Sequence, residues 1–427
     1  MSHDVLSNTW EELVAYYDNT LNLDKSLFKT TNDEPTPIAC VVEMLEKMPE
    51  ERFADPDAKW LDPCCGNGNF HLAIYFRLLK YHAPHHILTN MLFFNDTNGD
   101  RLDVVRRVFG ADVFQLNITQ HDFLSHDYLS SFTYVVANPP YAKLMADGRR
   151  ASKNHNLIGA FLAKALDALA PGGVLLFITP DNWMSLADRN TIVGEITSRQ
   201  IIHLDIHSAK KYFKKIGSSF TWYLVENTPA HKPFTVSGVW HKSTPYTSLI
   251  TRTTVRDFIP LYFTDAVDSI FSKTVMNDSH MRFRVETSSD LHRYTKRNLI
   301  VDAEDADHPY PLIHTPSTTV FASRPHKYQD GFKVFISTTS YYSTRVECGV
   351  GMTQSIAFIR CDCEDTANVT KEVLDHPLYV FLNNVCRWGN FNNVRILQRF
   401  PYCDSHSDVY SKFGITDDEK YVIENGM

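Results

Sequence analysis

Long apolar runs are missing from this 427-residue chain. No stretch reaches the roughly 18 to 20 apolar residues that a membrane-spanning helix needs. The first residues, Met1 to Asn8, lack a basic flank and an apolar core, so no secretory leader is read there. Cysteine is sparse and irregularly spaced, eight residues in all. Cys361 and Cys363 flank Asp362, but no second pair sits at zinc-ligand spacing. Reduced thiols in a cytoplasmic protein are the expectation, with no metal. His82, His85 and His86 read as a solvated helix end. Positive charge is also short: 42 Lys and Arg against 50 Asp and Glu leave a net charge of −8. That balance excludes a protein coated uniformly for nucleic acid, while leaving room for local basic patches. Internal repeats and low-complexity segments are absent. What remains is 43% hydrophobic and 22% charged, enough to bury a sizeable core, and the length suggests two domains.

The strongest positive signal is Asn138-Pro139-Pro140-Tyr141, at the end of the apolar run Phe132 to Ala137. A strand ending this way can build a site for a planar amino group. Asn138 supplies a side-chain carbonyl acceptor. Pro139 supplies a backbone carbonyl in a fixed direction, because its ring locks φ. Tyr141 supplies a flat face for stacking. The same residues also suit a plain strand-ending turn.

A second motif lies upstream, Leu61-Asp62-Pro63-Cys64-Cys65-Gly66-Asn67-Gly68-Asn69-Phe70. It follows an apolar run and precedes a nearly all-apolar helical pattern. Gly66 and Gly68 let the turn pass close to a ligand where a Cβ would clash. The next strand ends in Asp96, 28 positions after Gly68. An acid there is placed to bind ribose hydroxyls, or to cap the helix that follows. The spacing exceeds the roughly 20 residues of the dinucleotide fingerprint, and the third glycine is missing, so an NAD site is not read.

In order and content these motifs resemble the S-adenosylmethionine-dependent DNA adenine-N6 methyltransferases of the γ class, found mostly in type II restriction-modification systems. The resemblance runs from about residue 28 to 226. It takes in the helical pattern from Asn156, the Pro171-Gly172-Gly173 turn and the strand that follows. It implies an α/β, Rossmann-like methyltransferase sheet with a C-terminal α+β target-recognition domain. The expected division is a helical extension over 1–34, a catalytic domain over 35–230 and a DNA-recognition domain over 240–427, with a linker near 228–233.

The resemblance also implies roles. Asn138, Pro139, Pro140 and Tyr141 would be the catalytic residues. Phe213 is the best match to the family's second stacking aromatic, with Tyr212 and Phe220 as rivals. The cofactor, S-adenosylmethionine, would lie against Thr36, Pro37, Asp62, Cys64, Gly66, Gly68, Phe70, Asp96, Thr97, Asp122, Phe123 and Asn138. Cys64-Cys65 and Thr97 depart from the commonest family pattern. The partner would be double-stranded DNA whose adenine flips out, with a separate restriction nuclease as a further partner. Fewer than 40 residues precede the cofactor motif, too few for a fused nuclease domain. The tetrad equally serves RNA-adenine and protein glutamine-amide methyltransferases, and a non-catalytic DNA-specificity protein is the remaining alternative.

Strand patterns at 58–63, 90–96, 112–116, 132–137, 174–180, 201–206 and 219–226 alternate with helical ones at 70–82, 98–109, 156–170 and 185–199. That alternation calls for a mostly parallel sheet covered on both faces. Beyond it, isolated β-like runs at 332–337 and 355–359 suggest an irregular α+β domain. Candidate DNA contacts are Arg149, Arg150 and Lys153 past the tetrad, Lys210, Lys211, Lys214 and Lys215 around Tyr212-Phe213, and Arg282, Arg284, Arg293 and Lys296. Each group also reads as a solvated charged face. The amide- and aromatic-rich stretch 379–393 suits base edges or turn caps alike.

Overall fold

The computed structural model describes residues 4–28, 34–128, 130–141, 157–188, 190–214, 217–240, 244–389 and 391–426. They form two compact units. One is Met1–Asp181 with Thr191–Arg256, and the other is Asn182–Asn190 with Asp257–Met427.

The first unit is built on β1 (Trp60–Asp62), β2 (Leu92–Asn95), β3 (Asn117–Thr119), β4 (Phe132–Ala137), β5 (Leu169–Pro180), β6 (Arg199–Asp205), β7 (Phe220–Pro229), β8 (Phe234–Trp240) and β9 (Thr244–Ile250). Their order in one sheet is β3-β2-β1-β4-β5-β7-β6-β8-β9. Pairings among β1 to β5 are parallel, and β7 runs antiparallel between β5 and β6. The expected α/β, Rossmann-like sheet is therefore present. The strand order reverses beside β1, with β2 on one side and β4 on the other. In open α/β sheets such a switch point leaves a crevice at the strands' carboxyl ends, where ligands bind.

Packing explains why β1 sits inside the sheet. Trp60 is fully buried, stacked between Phe53 (5.5 Å) and Tyr134 (3.8 Å). Helix α1 (Trp10–Asn19) starts with a Thr9–Glu12 capping box and buries Leu13 and Tyr17. Helix α2 (Ile38–Leu45) begins at Pro37. Helix α3 (Asn69–Leu78) follows directly on Gly68 and buries Phe70, Leu72, Ile74 and Leu78.

Several local expectations change. Residues 112–116 form a turn, and the third strand is Asn117–Thr119. The helix Gly99–Val108 ends at Gly110, φ +74°, whose carbonyl takes the N–H groups of Val113 and Phe114, both at 2.9 Å. Those bonds curl the apolar pair Val113-Phe114 into a turn before it can extend. Among the described residues, the helix read at 185–199 is helical only over Ile192–Thr197. The stretch 228–233 carries the chain from β7 to β8, and the β8–β9 hairpin adds two strands that the alternation pattern did not show.

The second unit is α+β. One four-stranded antiparallel sheet runs in the order Glu286–Thr287, Ile356–Cys361, Phe332–Ser337, Thr344–Cys348. A second four-stranded sheet includes Tyr310–Thr315 and Thr318–Ala322. Helices Asp265–Lys273, Glu364–Leu374 and Pro377–Asn384 share an apolar cluster with the first of these sheets. No helix among the described residues is long and apolar enough to cross a membrane.

Candidate active site

The loop after β1 turns at Gly66 (φ +55°) and Gly68 (φ +85°), a left-handed backbone that side chains disfavour. Two bonds hold this loop to the end of β2, and a third ties Asp96 to the start of the next helix. The Cys65 N–H donates to the Asn95 carbonyl at 2.8 Å. The Gly66 N–H donates to Asp96 Oδ2 at 2.9 Å, and the Asn98 N–H donates to Asp96 Oδ1 at 2.8 Å. Asp96 is thus buried and clamps the glycine loop to the start of the next helix. The cap of that helix is Asn98, whose Oδ1 accepts from the Asp100 N–H at 3.0 Å, so the helix-cap reading of Asp96 does not hold.

A cleft opens over this loop, with an empty volume of about 380 Å³ that includes its open mouth. Asp62, Cys64, Cys65, Gly66, Asn67, Asn69, Phe70 and Asn138 line it from the strand ends. Phe28, Glu34, Pro35, Thr36 and Arg101 close its other side. Asp62 is buried, and its Oδ1 accepts from the Cys64 N–H at 3.1 Å. Burial, with the negative charge of Asp96 nearby, pushes its carboxyl well above the usual range. A cation in the cleft would reverse that penalty. Two further groups await a partner. Thr36 Oγ1 and Asn67 Oδ1 are buried and form no hydrogen bond. The cleft is therefore furnished for a polar, partly cationic ligand.

Asn138 stands at the end of β4. Its Nδ2 donates to the Glu34 carbonyl at 3.1 Å, and its Oδ1 accepts from the Tyr141 hydroxyl. The amide orientation follows from chemistry, because the Glu34 carbonyl can only accept, so the NH2 must face it. Oδ1 is thereby fixed in the opposite direction, with one lone pair spent on Tyr141. The Cys64 thiol reaches the Asn138 carbonyl at 3.6 Å, joining the glycine loop to the tetrad. Pro139 is buried and Pro140 exposed.

Tyr141 meets Phe220 edge-on at 5.9 Å, and Phe220 stacks on Phe213 at 4.2 Å. Phe213 is itself buried, with a face against Phe220. The turn Ser208–Tyr212 leading to it is anchored on both sides. Tyr212 and Lys211 bond Glu43 of α2 at 2.5 and 2.6 Å. On the other side the Asp205 carboxylate accepts from Ser208 Oγ, from Ser237 Oγ at 2.8 Å and from the Ala209 N–H at 3.3 Å.

Asp205 is fully buried, which pushes its carboxyl up from 3.8 to about 6. A raised acid stabilises the fold while protonated, fully so below about 4. That contribution is lost as pH climbs through about 6. Two pKa units correspond to at most about 3 kcal/mol at roughly 1.36 kcal/mol each. Asp205→Asn, which cannot ionise, is expected to flatten the dependence. Thermal melts should show the variant gaining on wild type between pH 4.5 and 7.5. An unchanged difference between the two proteins across that range would refute the assignment.

The remaining sequence expectations are placed unevenly. Thr97 is exposed, and its carbonyl accepts from Gln120 at 3.2 Å. Asp122 is exposed, while Phe123 is buried and stacks with Phe161 at 5.7 Å. None of the three lines the cleft. Arg149, Arg150, Lys153 and Lys215 lie outside the described residues. Lys210 donates to the Ser218 carbonyl at 2.9 Å, and Lys214 is exposed. Arg282 spends its guanidinium on the carbonyls of Thr274, Val275, Asn277 and Arg399. Arg293 pairs with Asp302, whereas Arg284 and Lys296 are exposed.

Sequence reading missed the supports around the cleft. Arg101 donates to the Leu27 carbonyl at 3.0 and 2.8 Å, lies over the Phe28 ring at 4.7 Å and approaches Asp96 at 3.8 Å. Tyr17 donates to the Asn67 carbonyl at 2.7 Å. Asn69 Nδ2 reaches the Thr36 carbonyl at 2.8 Å and Asn22 at 3.1 Å. The one available signal was Arg101 itself, next to Leu102 on the buried side of its helix.

Residues 94–213, which contain the tetrad, match the profile of the family described as Eco57I restriction-modification methylase. Among curated proteins, the type II methyltransferase M.XhoI of Xanthomonas vasicola is 28% identical over 157 residues, 29% of each chain. An uncharacterized adenine-specific methylase of Mycoplasma pneumoniae is 35% identical over 96 residues, 19% of this chain and 23% of the relative. The matches therefore span less than a third of these relatives' lengths. Among solved structures, the DrdV–DNA complex aligns with a TM-score of 0.55 at 11% identity, covering 97% of this chain and 59% of that one.

Proposed function

We propose that this chain, as a methylase of the restriction-modification type, transfers a methyl group from S-adenosylmethionine to N6 of an adenine flipped out of double-stranded DNA. The observation that carries the reading is the fixed acceptor at Asn138, beside a cleft furnished for a polar, cationic ligand. Residues fit the methyl donor one by one. Asp62 would take its ammonium group, and Thr36 Oγ1 and Asn67 Oδ1 would gain the partners they lack. Gly66 would let its backbone pass close. Bound there, the donor supplies an electrophilic methyl group.

The adenine amine is a weak nucleophile, because its lone pair is delocalised into the ring. Asn138 Oδ1 and the Pro139 carbonyl would accept its two hydrogens and favour the tetrahedral nitrogen. Both place partial negative charge where positive charge develops, so the gain is electrostatic preorganisation and positioning. Flipping the base costs a few kcal/mol. Stacking on Tyr141 returns roughly 1–3 kcal/mol. Adenine rather than a protein amide is favoured by the adenine-specific relative, and DNA by the DNA-bound neighbour with the same fold.

The test is transfer from labelled S-adenosylmethionine to unmodified duplex DNA, followed by nucleoside analysis. N6-methyladenine at discrete sites is the expected product. Cofactor binding without any transfer to DNA would overturn the reading and turn attention to RNA or a protein amide.

A further inference from the structure

By composition the amide-rich stretch 379–393 suits base edges or turn caps. In the structure Asn383, Asn392 and Asn393 bond inside the fold. Asn392 is buried, and its N–H donates to the Thr338 carbonyl at 2.9 Å. Its Nδ2 reaches the carbonyls of Ser337 at 2.7 Å and Ser340 at 3.1 Å, while Oδ1 accepts from Asn383 at 3.0 Å. Asn393 bonds Ser185 Oγ and the Leu186 carbonyl at 3.0 and 2.9 Å. This network pins the segment before Asn393 to the connection 338–343 between two strands of the same sheet.

The pinned segments sort their aromatics into two kinds. Tyr342 turns inward, and its hydroxyl donates to the Leu374 carbonyl at 3.0 Å. Trp388 turns inward and donates from Nε1 to the Ile259 carbonyl at 2.9 Å. Their neighbours turn out: Tyr341 is 83% exposed and Phe391 64%. Each adjoins a residue of the network, Ser340 and Asn392. The Arg387 guanidinium lies over the Tyr341 ring at 5.2 Å. A single exposed aromatic is ordinary. A buried amide network that holds two of them outward on adjoining loops, with a cation on one face, is a built surface.

We propose that Tyr341, Arg387 and Phe391 form a stacking surface for DNA bases on the second unit. Composition selects the partner. Segments 338–343 and 385–393 contain no acid and one base, Arg387, in a chain of net charge −8. Their other polar groups are uncharged, so nothing on these segments repels a phosphate backbone. Exposed rings beside a guanidinium suit base faces, and an apolar ring can wedge a step where the duplex opens or bends.

This inference rests on the DNA reading above, and the experiment separates the two. The full chain is titrated with fluorescent duplex DNA carrying the methylated sequence, alongside S-adenosylmethionine binding and a thermal melt. For the Tyr341→Ala, Phe391→Ala double variant, DNA affinity should fall about tenfold or more. Cofactor affinity and Tm should stay at wild-type values, and Tyr341→Phe should retain binding. DNA affinity within about twofold of wild type in the double variant would overturn the surface alone. Wild-type protein that neither binds nor methylates DNA would overturn the DNA reading and this surface with it.

Discussion

Asn138→Ala is expected to lower methyl transfer by about 10²–10³-fold, the loss typical of removing one preorganised electrostatic group. The Glu34 carbonyl forces the amide to present Oδ1 away from itself, so the acceptor is set before any substrate arrives. Alanine removes the acceptor and leaves the Pro139 carbonyl to hold the amine alone. Cofactor affinity should change far less, since the clamp on the glycine loop runs through Asp96 and Asn95 rather than Asn138. Turnover falls, therefore, while binding of S-adenosylmethionine stays measurable. The pairing of single-turnover rates with equilibrium binding checks both halves. A turnover near wild type would remove Asn138 from the chemistry. Tyr141→Ala should be milder, because stacking is graded and the tetrad acceptors remain. Its hydroxyl now occupies one lone pair of Oδ1, so the loss of stacking is partly offset by a freer acceptor.

Much of the first unit was legible because strand and helix periods alternate cleanly there, and because Gly66, Gly68 and Asn138-Pro139-Pro140-Tyr141 punctuate them. Asp62, Asp96 and the tetrad asparagine at strand ends followed from the same pattern, whereas Asp122 falls beyond its strand and outside the cleft. What escaped depends on contacts remote in sequence. Tyr17 and Arg101 support the cleft through bonds to backbone carbonyls, whose partners residue type does not specify. The β8–β9 hairpin escaped because the prolines at 229 and 233 look like a linker, although they bracket a short connection within one sheet. The Val113-Phe114 pair has strand composition, but Gly110 captures its N–H groups first. Basic residues were the least legible group. Arg282 looks in sequence like a phosphate ligand and in the structure satisfies four carbonyls. Long cationic side chains serve either purpose, and only their surroundings decide.

The two loop glycines should separate stability from binding. A Cβ on Gly68 would lie 2.8 Å from Phe109 Cε2 and 3.6 Å from Val105 Cγ2, inside the packed base of the loop. Its φ of +85° adds the left-handed penalty of roughly 1–2 kcal/mol. Overpacking adds about 1–3 kcal/mol. Gly68→Ala should therefore cost roughly 2–5 kcal/mol, lowering Tm by on the order of 10 °C for a unit of this size. A Cβ on Gly66 meets no atom within 4 Å, because it projects into open space where Gly66 lines the cleft. Gly66→Ala carries only the backbone penalty at φ +55°. Its main effect should fall on the ligand, with S-adenosylmethionine affinity reduced about tenfold or more and Tm lowered by a few degrees at most. Melts with and without the cofactor distinguish the two. Added cofactor should raise Tm for wild type and much less for Gly66→Ala. Wild-type cofactor affinity in Gly66→Ala would mean that the ligand lies elsewhere. A Gly68→Ala protein as stable as wild type would mean that Phe109 can move aside, and that the loop is less tightly packed than its contacts imply.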